Sequence, residues 1–157
     1  MAVDEHIGEL RESSWVYLTA HSRNHTGASR PLAQGLADVC ESFGFSVFAS
    51  VDEHASPCEN WFEALQHAEV CVIDVGIGSA VGGAELAMAY CSGRPLITLR
   101  VHGEQSPPAL NAMLARHPAT REIAFQNTSD CAEQLQQILS DPVWQKLVRL
   151  APTMEDS

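Results

Sequence analysis

Short apolar runs recur along this chain with helix-like stretches between them, and that alternation leaves few folds open. Trp15–Ala20, Phe45–Ser50, Val70–Val75, Leu96–Val101 and Glu122–Phe125 read as strands. The third run is apolar almost throughout, as a strand covered on both faces must be. Candidate helices fill Pro31–Phe43, Pro57 to about His67, Gly82–Ser92 and Ala109–Arg116. Pro57 suits a first helical turn, and Gly44 and Gly93 stand where helices must stop. The stretch Ser129–Glu133 pairs a capping residue with a following carboxylate, and Leu135, Ile138 and Leu139 give the helix it opens a buried face.

Strands that alternate with helices pair in parallel, because each right-handed crossover must return over the sheet. The predicted fold class is therefore α/β, a three-layer sandwich around a central parallel five-stranded sheet, Rossmann-like in architecture. The 157 residues suit one domain, here 14–150, between a flexible segment 1–13 and a frayed tail 151–157.

Composition narrows the partners. A net charge of −11 repels an extended phosphate backbone, so no nucleic acid is expected, although one small anion can still enter a locally positive pocket. No run approaches the roughly 18 apolar residues of a membrane span, and Met1–Ser13 has no apolar signal core, which points to the cytoplasm and to no membrane partner. Cys40, Cys58, Cys71, Cys91 and Cys131 show neither CxxC nor metal-finger spacing, so they read as reduced thiols. No metal and no cofactor is expected: His21 and His25 have no Cys or acid nearby to complete a ligand set.

In an open α/β sheet ligands bind beyond the carboxyl ends of the strands, which selects the loops Thr19–Thr26, Ser50–Cys58 and Gly76–Gly83. The last has four glycines among eight residues and leads into a helix, so it is either an anion cradle or a tight turn. Glu85 follows among small and apolar neighbours; it is either a carboxylate presented to a ligand or an acid favoured by the helix dipole. Ser22 and Arg23 can hold a phosphate, or belong to a solvated loop. Tyr17, inside the first strand, reads as core.

Several of these segments together resemble the nucleoside 2-deoxyribosyltransferase-like superfamily. They are Tyr17–Ala20, Ala68–Ile73, Ser79 six residues before Glu85, and Gly93–Ile97, and the likeness spreads over roughly residues 15–140. It looks closest to the 2′-deoxynucleoside 5′-phosphate N-hydrolase and CMP N-glycosidase branch. The resemblance implies a nucleotide N-glycosidase in which Glu85 attacks the anomeric carbon, with Tyr17 beside it. Ser79, Gly82 and Gly83 would hold the 5′-phosphate with Ser22 and Arg23. It also implies a homodimer, Asn111 of one subunit reaching the phosphate in the other. The family's acid/base aspartate aligns with Trp61, so Glu59 takes over the proton to the leaving base, or the base leaves unaided, or the protein only binds. An indole at Trp61 can stack on a base. A deoxyribosyltransferase and a TIR-like NAD glycohydrolase are the remaining alternatives.

Overall fold

A computed structural model describes residues 14–20, 29–50, 61–75, 80–104 and 108–151. Five strands, β1 (Trp15–Thr19), β2 (Ser46–Ser50), β3 (Val70–Asp74), β4 (Leu96–Val101) and β5 (Thr120–Phe125), form one sheet in the order β2-β1-β3-β4-β5. All four pairings are parallel. The helices are α1 (Ser29–Ser42), α2 (Trp61–Gln66), α3 (Ala80–Cys91), α4 (Pro108–Ala115), α5 (Thr128–Ser140) and α6 (Pro142–Leu150). The α/β three-layer expectation holds.

Alternation along each strand sorts the core into two halves. Val16 and Leu18 of β1, Val70 and Val72 of β3, Ile97 and Leu99 of β4 and Ile123 of β5 face α1, α5 and α6, where Leu36, Leu135 and Trp144 cover them. Trp15, Tyr17, Cys71, Ile73 and Leu96 face the other way, toward Leu65 of α2, Leu86 and Ala89 of α3, and the half-buried Leu110 and Leu114 of α4. The Trp15 indole N–H donates to the Ala68-side end of α2 at the Ala64 carbonyl, 2.8 Å away, tying that helix to the sheet.

Helix boundaries follow local chemistry, with some shifts from the sequence reading. Gly44 and Gly93 take φ of 88° and 69°, conformations that cost a side chain dearly, and end α1 and α3 as expected. The cap of α5 is Asn127 and not Ser129: its side-chain oxygen accepts from the Asp130 N–H, while the Asp130 carboxylate accepts from the Gln126 N–H. The α6 helix is an addition to the expected elements. Asp141 caps it by accepting from the Val143 N–H, and Pro142 occupies its first turn.

Candidate active site

The strand order reverses direction between β1 and β3: β1 leads through α1 to one edge of the sheet, while β3 leads through α3 toward the other. Crevices of parallel sheets open at the carboxyl ends of such a pair. The two strand ends are joined there by the Asp74 N–H, which donates to Thr19 Oγ1 at 3.4 Å, and both side chains are buried.

Glu85 is the sixth residue of α3 and shares its sheet-facing side with Leu86 and Ala89, while Gly83, Ala84 and Ala87 are exposed. That rotation carries the carboxylate inward onto Tyr17, whose hydroxyl donates to Glu85 Oε2 at 2.5 Å. Both residues are 0% exposed. A hydroxyl bonded to a carboxylate at this separation lies at the short end of charge-assisted geometry, and buried polar atoms in an apolar layer need such pairing. The Tyr17 ring is itself fixed: it stacks on Phe48, its cross-strand partner in β2, at 5.4 Å between centroids and 14° between planes. Tyr17, read from sequence as core, is both core and the direct partner of the acid.

Cys71 pairs with Tyr17 across β1 and β3. Burial pushes its thiol up to about 12; the Arg94 cation opposes the rise and the Glu85 charge adds to it. The thiol therefore stays protonated and donates toward the Leu65 carbonyl, 3.7 Å away. Arg94 is buried as well, its Nε–H donating to the Ala68 carbonyl at 2.7 Å, and burial holds its pKa below the usual arginine value. Its part is to fasten the start of β4 to the end of α2's connection.

The other sequence-derived site residues among those described lie on α2, α3 and α4. The helix starts at Ala80, two residues before the expected Gly82, so Gly82 falls in the first turn, where backbone N–H groups lack helical partners. Gly83, a residue later, sits where the helix's own hydrogen bonding begins. A Cβ built on Gly83 would meet nothing within 4 Å, so the packing of this chain does not demand glycine there. Trp61 opens α2. Asn111 is exposed on α4 and lines a different cleft, with Thr98 and His117, so the single chain does not bring it to Glu85. Ser22, Arg23, Glu59 and Ser79 lie outside the described residues. Sequence reading passed over Asp74 and Thr19; the signal was available, since Asp74 is the one acid in the run Val70–Val75.

Among the described residues no group of three or more His, Cys, Asp or Glu is placed to hold a metal ion, and no helix is long and apolar enough to cross a membrane.

No family model and no curated protein sequence matches this chain. Its fold does match solved structures. The CMP N-glycosidase BcmB of Clostridium botulinum superposes with a TM-score of 0.60 at 17% identity, over 79% of this chain and 98% of that one. A flavodoxin-like domain from Synechococcus gives 0.58 at 17% identity over 87% and 99%. A diflavin flavoprotein A3 from Nostoc gives 0.60 at 17% over 87% and 94%. At such identity the likeness is one of fold: the chain has the parallel α/β architecture that an N-glycosidase and flavodoxin-like proteins share.

Proposed function

We propose that this protein is a nucleotide N-glycosidase, hydrolysing the N-glycosidic bond of a ribo- or deoxyribonucleoside 5′-monophosphate to a free base and a sugar 5-phosphate. The observation that carries the reading is the Tyr17–Glu85 pair, a carboxylate drawn into the apolar layer beside the β1/β3 switch point and held by a phenol. Glu85 attacks C1′, the C1′–N bond breaks, and its electron pair leaves with the base, which takes a proton from Glu59. Water then cleaves the glycosyl ester, giving up a proton to the Glu59 carboxylate, and restores the carboxylate of Glu85. The Tyr17 bond fixes the plane of the nucleophile, a positioning effect that matters because small misplacements cost large factors in rate. The first turn of α3 with Ser79, Ser22 and Arg23 receives the phosphate. The active form is a homodimer in which Asn111 of a second copy reaches that phosphate, and no cofactor takes part.

Incubation with the common ribo- and deoxyribonucleoside monophosphates tests this. At least one should release its base, and Glu85→Gln should lower the rate by at least about 1000-fold while the protein stays folded. A panel left intact by folded protein overturns the reading.

A second reading, a nucleotide-binding module without turnover, is favoured by one observation: Glu85 is wholly buried, so a substrate reaches it only after the crevice opens. Trp61 at the position of the family's acid supports the same view. It predicts saturable thermal stabilisation by a nucleotide, following ligand concentration over Kd, with no product. Absence of any shift across the panel removes it.

A further inference from the structure

A cavity of about 180 Å³ lies at the amino end of the sheet, away from the Glu85 crevice at its carboxyl end. Phe45 and Glu69, the residues just before β2 and β3, line it together with Leu139 of α5 and Trp144 and Val148 of α6. Trp144 is 1% exposed, and an indole has one polar group, an N–H that donates and never accepts. Among the described residues that N–H has no hydrogen-bond partner. The buried indole of Trp15, by contrast, donates to the Ala64 carbonyl at 2.8 Å. Buried indoles normally find such an acceptor, so a bare one on the wall of a cavity points to an acceptor that a ligand brings.

The lining says what carries that acceptor. Phe45, Leu139 and Val148 present hydrocarbon, and an apolar cavity of roughly 150 Å³ holds one benzene ring. The space beside Trp144 therefore takes a single six-membered ring with a small substituent, and flat rings pack well against Phe45 and the indole itself. Charge favours neither sign, because the lining carries one carboxylate, Glu69, and one guanidinium, Arg149. The Arg121 guanidinium lies over the Trp144 ring, 5.4 Å from its centroid, but lines a neighbouring cleft with Asp141 and takes no part in this one.

We propose that this cavity binds a small neutral aromatic molecule whose carbonyl oxygen accepts from the Trp144 indole N–H. The site is separate from the Glu85 crevice and needs no nucleotide.

Acetophenone and 2-phenylpropene have nearly the same shape, and only the first has an acceptor. In a titration followed by the indole signals in proton–nitrogen correlation NMR, acetophenone should move the Trp144 signal downfield and saturably, while 2-phenylpropene should bind without that downfield shift. Trp144→Phe, which also assigns the signal, should weaken acetophenone relative to 2-phenylpropene by at least about fivefold, since a buried carbonyl loses its donor. Val148→Phe fills the space from a half-buried position and should abolish binding of both probes while Tm is kept. Glu85→Gln should bind acetophenone as the parent does, so this result stands or falls apart from the glycosidase assay. An unmoved Trp144 signal, equal downfield shifts with the two probes, an unchanged affinity ratio in Trp144→Phe, or full acetophenone binding by Val148→Phe overturns the proposal.

Discussion

The two faces of the sheet are built differently. On the α1, α5 and α6 side Leu36, Ile123, Leu135 and Trp144 fill the layer, Asp74 is buried only where β3 ends, and the helices above are capped by Asn127 and Asp141. On the α2, α3 and α4 side Glu85 and Thr98 are buried among the apolar residues, and α4 has no buried residue at all. One face stabilises the fold in the ordinary way, by burying hydrocarbon. The other keeps buried polar groups under its helices, which a fold selected only for stability would replace, and the proposed chemistry lies on that side.

The contrast is broken most sharply by a pair of substitutions. Leu135→Ala, in the apolar layer, should cost about 2–5 kcal/mol through lost contacts and the cavity left behind. Denaturant unfolding reads it, and activity per folded molecule should stay unchanged. Glu85→Gln should behave oppositely, abolishing base release with little loss of stability. If Leu135→Ala lowers the specific rate as much as Glu85→Gln does, the division between the faces is wrong.

Tyr17→Phe sharpens the comparison on the polar side. It leaves the ring stacked on Phe48 but removes the hydroxyl that bonds Glu85, so a buried carboxylate loses a donor. The expected cost is about 1–3 kcal/mol by unfolding titration, larger than for a surface hydroxyl. A neutral result would mean that water replaces the phenol and that the crevice is wetter than its burial indicates. On the apolar side, Asn127→Ala removes the α5 cap and should cost about 1 kcal/mol, visible in Tm and absent from kinetics.

The two faces were not equally legible in the sequence. The order of strands and helices could be read because each strand run is short, apolar and bounded by turn residues, and Gly44 and Gly93 marked stops that their positive φ explains. Glu85 stood out because an acid amid Ala84, Leu86 and Ala87 breaks an otherwise apolar helix. What the residue pattern alone did not carry was whatever depends on two segments distant in sequence. The bond between Tyr17 and Glu85 joins residues 68 apart, and no local pattern encodes which strand a helix residue will face; only the family resemblance set the two side by side. The cavity beside Trp144 was hidden for the same reason, since Phe45, Leu139 and Val148 come to line one space only once the chain has folded. The α6 helix was readable and was missed: Asp141-Pro142 is a cap followed by a first-turn proline, obscured by its direct continuation from α5.

Acid should weaken the polar face before the apolar one, and His117 supplies the test. Burial holds its pKa below the ordinary 6.5, with the Arg94 backbone opposing the fall, and its ring lies 5.6 Å from that of Tyr90. The unfolded chain therefore takes up a proton near 6.5 while the folded chain does not, so the unfolded state binds more protons just below that pH. Stability must then fall as pH drops through 6.5 toward the lower folded value, and must be indifferent to this group above it. Melting curves from about pH 7.5 to 5.5 should show that decline, and His117→Gln should flatten it. The apolar face has no buried histidine to contribute among the described residues, so a decline of unchanged slope in His117→Gln would trace the acid sensitivity away from the turn before β5 and weaken the view that the polar groups under α4 carry a standing cost.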